Sequence, residues 1–325
     1  PSGPPHAMAT VSAEGAMLQA KADQKLEFVQ AMIRQLEKAM KNYNEEDQLW
    51  LRNLIDPDDK CVFTLVKLVI EPKYREFISL RCVVLRALQI ILRVAQSMVQ
   101  GPLQGDANVG RWCLVHLVGP ELANQAISVV VGMANHEQIE PVASCNALLV
   151  LAELGPEVLA PELTRRLMDL FVRLPDRAED LVEVGLRFHA QGGQQRAALL
   201  DAAVSHPGGS LLCEVLLQVI NRADMRRRLR ALKVLSGCLS RPSSERLLYT
   251  NDVRVLVEIL LRELPNHAED ATAFAAYADC FKVVASIYAA ARTHRRSETL
   301  QVFEDLCEDE RLPSDMREKC REVLQ

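Results

Sequence analysis

The feature that most constrains this chain is the regular alternation of apolar runs of helical length with proline and glycine. Helices tend to end just before proline, because its ring clashes with the preceding turn and it has no backbone N–H to donate. Proline or glycine lies at 57, 72, 101–102, 119–120, 141, 155–156, 161, 175, 192–193, 207, 242, 265 and 313. Apolar runs lie between them at 61–70, 77–98, 122–133, 142–154, 163–174, 181–188, 211–220 and 229–239. The pattern predicts roughly a dozen helices joined by tight corners.

The balance of apolar residues also favours helices. Hydrophobic residues make up 49% of the chain but aromatic residues only 5%, so aliphatic side chains and alanine dominate. Sheets favour β-branched and aromatic side chains, and no run of alternating polarity bounded by hairpin turns interrupts the series. A chain of 325 residues can form one body if each helical unit buries its apolar face on the next. We predict an all-α fold, a right-handed α-solenoid of armadillo- or HEAT-like repeats.

Domain organisation is predicted to be simple. Residues 1–9, PSGPPHAMA, have neither the charged segment nor the apolar segment of a signal peptide, and we interpret them as a cloning remnant. Residues 10–325 are predicted to form a single domain, since neither the widest loop candidate at 101–110 nor a second at 191–195 has the length of a domain linker.

The first helix is predicted to be long and amphipathic. Its apolar residues follow one another in steps of three and four: Leu18, Ala22, Leu26, Val29, Ile33, Leu36 and Met40. This stripe resembles a coiled-coil seam but is short for one. Packing on the next helix and self-association through this helix both remain open.

Charge and cysteine content exclude several classes of function. A net charge of −5 opposes nucleic-acid binding, which needs clustered lysine and arginine. The nine cysteines are odd in number, scattered and mostly within apolar runs, which favours a reducing cytosol. No uninterrupted apolar run reaches the roughly 18 residues of a membrane span, so we expect a soluble protein without membrane insertion.

Catalytic and metal-binding motifs are missing from the sequence. There is no glycine-rich phosphate loop, no HExxH and no CxxC pair. Cys113 and His116 are the nearest local candidate for a nucleophile and its base, but a buried thiol beside a surface imidazole explains them better. We therefore expect a protein that is not an enzyme, holds no cofactor or metal, and acts by presenting a surface to another protein.

Two groups of charged residues are candidates for that surface. The first is an arginine cluster at the start of a predicted helix: Arg226, Arg227, Arg228 and Arg230. It is either a solvated face or a contact for an acidic protein patch, since arginine pairs well with carboxylates. The second is a row with a spacing of four, Arg254, Glu258 and Arg262, which predicts an exposed ion-pair row on the helix within 247–264.

The start of that helix carries a distinctive motif. Thr250, Asn251 and Asp252 are predicted to cap it. The full motif, YTNDV at 249–253, runs into an aliphatic segment that ends in LREL at 261–264. Further features follow more loosely at Tyr277, 294–296, Glu298, Leu300, Leu306, Arg317, Lys319, Cys320 and Leu324. Over residues 247–325 the sequence thus resembles the SPIN/WISH/DIP family, although the alanine-rich 271–276 departs from the family pattern.

The resemblance implies a function in the actin cytoskeleton. Members of this family carry a leucine-rich armadillo domain that activates the actin-related protein 2/3 complex without a pre-existing mother filament. It implies linear filaments that seed branched networks, with that complex and actin as partners, in the cytoplasm at cortical actin structures such as endocytic sites. The alternative is an armadillo adaptor or scaffold that binds a protein unrelated to actin.

Overall fold

The computed structural model describes residues 13–42, 45–99, 108–136, 140–155, 160–310 and 312–324. In these ranges the regular elements are α-helices and short 3₁₀ turns, with no strand, which confirms the all-α class. The helices are α1 (Ala13–Asn42), α2 (Glu45–Leu54), α3 (Cys61–Ile70), α4 (Ile78–Met98), α5 (Val109–Val118), α6 (Pro120–Asn135), α7 (Pro141–Leu154), α8 (Leu163–Arg173), α9 (Ala178–Ala190), α10 (Gly193–Ser205), α11 (Gly208–Arg222), α12 (Met225–Leu239), α13 (Thr250–Asn266), α14 (Ala271–Ile287), α15 (Ala289–Thr293), α16 (Arg296–Glu308) and α17 (Ser314–Leu324).

The predicted dozen is too low, because the described residues contain seventeen α-helices. The difference comes from short or half-polar helices such as α2 and α10, which contain no long apolar run and so give no signal by that criterion. The segment interpreted as a cloning remnant lies outside the described residues, as does most of the loop candidate at 101–110.

The chain forms two compact units, residues 1–158 and residues 159–325. The first contains α1 to α7 and the second α8 to α17. The single domain spanning 10–325 stays a prediction.

In the first unit, α4 is the central helix. It packs on α1, α3 and α7, while α6 packs on α7 and α3. Val84, Leu85 and Ile91 are completely buried along α4 because neighbours cover it on several sides. Helix α1 packs on the next helix, α2, and more extensively along α4, with Val29 and Leu36 buried. Self-association through α1 stays a prediction.

In the second unit, α11 packs on α8 and α12, and α14 packs on α12 and α13. The last two helices, α16 and α17, pack on each other. The largest fully buried side chains of the described residues are aromatic and lie in this core: Phe171, Phe188, Phe274, Tyr277 and Phe303.

The cysteines behave as small apolar residues. Cys61 and Cys307 are half-buried, the other seven thiols are buried, and none of the nine forms a disulfide in the described residues. Within the described part of the chain, no single helix is long and apolar enough to cross a membrane. Among the described residues, one sharply bent pair, α10 and α11, reaches that length and composition when its two helices are taken together.

Candidate interaction surface

The arginine cluster lies at the first turns of α12. Asp224 caps this helix, because its carboxylate accepts a hydrogen bond of 3.0 Å from the backbone N–H of Arg227. Of the four arginines only Arg226 is exposed, and Arg227, Arg228 and Arg230 are half-buried. A solvated face therefore describes Arg226 but not the other three.

Two of these arginines bind a carboxylate on α9. Arg227 and Arg230 lie 3.7 Å and 3.6 Å from the carboxylate oxygens of Glu183, and Arg187 lies 3.5 Å from the same group. Burial lowers the pKa of Arg230, and the nearby Glu183 only partly opposes that shift. The pairs tie α12 to α9.

Arg228 is directed to other helices. Its guanidinium lies 3.0 Å from the carboxylate of Glu263 on α13, and it donates to the hydroxyl of Tyr277 on α14 at 3.4 Å. Burial acts to lower the pKa of Arg228, but the Tyr277 hydroxyl and the Glu263 carboxylate outweigh it and raise that pKa. Arg228 therefore joins three helices through one side chain.

Glu263 is the centre of this arrangement, and only 8% of the residue is exposed. Its carboxylate also lies 2.8 Å from Arg262 and 3.3 Å from His267, whose ring stacks on that of Tyr277. Burial acts to raise the pKa of Glu263, but Arg262, Arg228 and His267 outweigh it, so the pKa falls below its ordinary value. We call Arg228, Arg262, Glu263, His267 and Tyr277 the Glu263 cluster.

Arg228 and Arg262 were candidates from the sequence alone, but Glu263 and His267 were missed as their partners. One signal was present, since Glu263 lies between Leu260 and Leu264 on the buried face of α13. A carboxylate in that position needs a buried partner, because an unpaired charge in a core costs several kcal/mol.

The row of Arg254, Glu258 and Arg262 is exposed, as predicted, but it is not an ion-pair row. Glu258 pairs outside its own helix, lying 2.9 Å from His294 and 3.4 Å from Arg295. Both partners lie in the turn between α15 and α16, and this turn places them beside the Glu258 carboxylate. The hydrogen bond to His294 and the charge of Arg295 together lower the pKa of Glu258.

Helix α13 also begins differently from the prediction. Tyr249 is the residue before the helix, and Thr250, Asn251 and Asp252 form its first turn. Asp252 still caps the helix, because its carboxylate accepts from the backbone N–H of Tyr249 at 3.3 Å. This leaves the Tyr249 side chain 72% exposed, beside a helix whose Val255 is 42% exposed.

These residues define an exposed surface on α13. We call it the α13 surface, and it comprises Tyr249, Arg254, Val255, Glu258 and Arg262. An exposed aromatic ring and an exposed aliphatic side chain among charged groups are typical of protein contacts.

The other candidate chemistry is not assembled. Cys113 is buried, which raises the pKa of its thiol, and the ring of His116 stacks on Trp112 at 5.2 Å. In the part of the chain that the structure describes, no three His, Cys, Asp or Glu side chains are grouped so as to hold a metal ion.

Comparison with known proteins gives a match over the region that contains the arginine cluster, the Glu263 cluster and the α13 surface. No curated protein matches the chain. Residues 194–300 match the model of the SPIN90/Ldb17 leucine-rich domain. The match overlaps the region of resemblance over 247–300 and begins earlier, so it contains the arginine cluster, the Glu263 cluster and the α13 surface. The match confirms the resemblance seen in the sequence, and residues 194–300 of this chain are similar to the SPIN90/Ldb17 leucine-rich domain.

Proposed function

We propose that this protein binds and activates the actin-related protein 2/3 complex without a pre-existing mother filament. The observation that carries the proposal is the match of residues 194–300 to the SPIN90/Ldb17 leucine-rich domain, a family linked to actin regulation. The products would be linear filaments that seed branched networks. The protein would act in the cytoplasm at cortical actin structures, as a binding module rather than an enzyme.

The mechanism needs no catalytic group. A ligand shifts an equilibrium between two arrangements only by the difference in its affinity for them. A stiff stack of helices that fits the active arrangement of the complex better than the inactive one would supply that difference. We therefore also propose that the helices stack as an α-solenoid of armadillo- or HEAT-like repeats.

The surface that contacts the complex is proposed to be the α13 surface together with Arg226. These side chains are exposed and lie inside the matched domain. Arg227, Arg228 and Arg230 are poorer candidates for direct contact, because Glu183 and Glu263 already bind them. Their more direct effect is to hold α12 in place beside that surface.

The test is the assembly of pyrene-labelled actin with the purified chain and the actin-related protein 2/3 complex, without seeds. We expect faster assembly and, by total internal reflection fluorescence imaging, unbranched first filaments. A well-folded chain that fails to accelerate assembly contradicts the proposal. If such a chain instead captures a partner unrelated to actin, the adaptor alternative is favoured.

A further inference from the structure

A groove in the first unit has the features of a second interaction site, outside the matched residues 194–300. It runs between α1 and α3 and has a volume of about 280 Å³. Val29, Leu65 and Leu68 form its apolar walls, and Phe28 lies at the edge of the groove. Phe28 is 66% exposed, unusual for a large apolar side chain beside an apolar groove.

The size of the groove limits what can occupy it. Sites for drug-sized ligands usually enclose about 300–1,000 Å³. This groove is just below that range, so it suits one or two apolar side chains of a larger partner rather than a whole cofactor.

The charges at the groove are of one sign. Lys25 and Lys60 contribute to its lining, and no carboxylate does so among the described residues. The ammonium of Lys25 donates to the hydroxyl of Tyr74 at 2.7 Å and lies 4.6 Å from the centre of the same ring. Tyr74 is buried, so it fixes this cation beside the apolar walls without neutralising it.

The backbone of Lys60 supports a role for its side chain. Lys60 has a φ of 56°, in the left-handed region where glycine or asparagine is favoured. It precedes α3 as the N-cap residue, where its ammonium has no acceptor with which to cap the helix. Nothing in the local fold therefore requires lysine here, while its exposed ammonium stands at the groove.

We infer that this groove binds an acidic amphipathic segment of a partner protein. A leucine or phenylalanine of that segment would enter between α1 and α3 and pack on Phe28. Aspartate or glutamate residues on either side would pair with Lys25 and Lys60. Charge complementarity selects this occupant, because a basic or neutral segment would leave both cations without a counter-charge.

The experiment uses the whole chain and a designed probe. The probe is a fluorescein-labelled helical peptide with leucine at every third or fourth position and glutamate beside each leucine; its matched control has lysine in place of glutamate. Fluorescence anisotropy is expected to show binding of the acidic probe only. The double variant K25E/K60E should weaken that binding by about tenfold or more and reduce its dependence on salt.

Two single variants separate binding from folding. Phe28→Ala removes an exposed side chain, so it should weaken binding while leaving the melting temperature unchanged. Lys60→Gly relieves the left-handed backbone and should raise the melting temperature or leave it equal, yet still weaken binding. Lys38→Glu, at an exposed lysine of α1 that does not line the groove, is the matched control and should bind the probe normally.

Two outcomes would overturn the inference. One is equal binding of the acidic and basic probes, or of wild-type and K25E/K60E protein to the acidic probe. The other is a dimer by sedimentation that Phe28→Asp dissociates, because the groove would then belong to a second copy of this chain. Neither outcome bears on the proposal for the actin-related protein 2/3 complex, which rests on the second unit.

Discussion

Among the described residues, each of the two units holds one buried glutamate, and the two are stabilised in different ways. Glu153 on α7 is 3% exposed and is bound by side chains of α4. Arg93 donates to it twice, at 2.9 Å and 2.8 Å, and Gln89 and Gln96 donate at 3.4 Å and 3.3 Å. Glu263 instead connects α12 and α13 and, through Arg228, reaches Tyr277 on α14.

The difference between the two sites lies mainly in the arginines. The side chain of Arg93 is 47% exposed, whereas that of Arg228 is only 16% exposed. If its carboxylate is lost, Arg93 can still be hydrated, but Arg228 cannot without movement of the surrounding helices. The Glu153 site therefore joins α4 and α7 through Arg93 and two glutamine amides. The Glu263 cluster joins α12, α13 and α14, and its stability depends on the charge of the Glu263 carboxylate.

The largest effect is expected from Glu263→Gln. The substitution keeps the shape and one acceptor but leaves the mostly buried Arg228 without a counter-charge. We expect the free energy of unfolding to fall by about 3 kcal/mol. Urea unfolding followed by far-ultraviolet circular dichroism measures it. The exposed Glu258→Gln on the same helix is the control and should leave the urea midpoint nearly unchanged; an equal loss in both would show that burial of the arginine is not decisive.

A smaller loss is expected when the helix beside Glu153 is pushed away. An added Cβ at Gly110 on α5 would lie 1.8 Å from the backbone carbonyl oxygen of Glu153. Gly110→Ala should therefore displace α5 from α7 and cost about 2 kcal/mol in the free energy of unfolding.

Its control is another helical glycine. An added Cβ at Gly132 on α6 meets nothing within 4 Å. Gly132→Ala should stabilise the protein by up to about 1 kcal/mol, since alanine is the better helix former. If both variants lower the urea midpoint equally, the close approach at Gly110 does not explain its effect.

The spacing of proline and glycine, together with the low share of aromatic residues, was enough to predict an all-α chain, because both reflect local preferences of the backbone. The short helices α2 and α10 escaped it because they contain no long apolar run. The partners of the arginine cluster could not be predicted. Glu183 and Glu263 lie far from it along the chain, and only tertiary packing brings them together.

Local reasoning also failed for Glu258, although its exposure was predicted correctly. The spacing of four from Arg254 and Arg262 is compatible with ion pairs on one helix, but such exposed pairs contribute little. The turn holding His294 and Arg295 offers Glu258 nearer partners, and nothing in the sequence of α13 indicates where that turn lies.

Glu153→Gln tests the other side of the comparison. The half-exposed Arg93 can turn to water, and the substituted amide would keep one acceptor oxygen for it. The loss in the free energy of unfolding should be about 1 kcal/mol, clearly below that of Glu263→Gln. The same urea titration measures it. Equal losses for the two glutamine variants would show that the exposure of Arg93 and the burial of Arg228 do not set the size of the effect.

Acid should reduce the difference between wild-type protein and Glu263→Gln. Because the folded pKa of Glu263 lies below its ordinary value of 4.5, its ionised form stabilises the fold at pH values above 4.5. That contribution is lost as the pH falls through the folded pKa. Urea midpoints of both proteins from neutral pH downwards should therefore converge in acid. A constant difference throughout would mean that the carboxylate charge is not what stabilises the Glu263 cluster.

The smallest effect on stability is expected at the α13 surface. Arg254 is exposed and forms no ion pair within the described residues, so Arg254→Glu should change the free energy of unfolding by about 0.5 kcal/mol or less. If this surface contacts the actin-related protein 2/3 complex, the same variant should slow pyrene-actin assembly.

Arg228→Glu is the contrasting variant, because it would place two carboxylates together in the Glu263 cluster and lower the urea midpoint. Slow assembly by a fully stable Arg254→Glu protein would locate the contact at the α13 surface. Normal assembly by that variant, with slow assembly by Arg228→Glu alone, would mean that the second unit contributes through its folding and makes contact elsewhere.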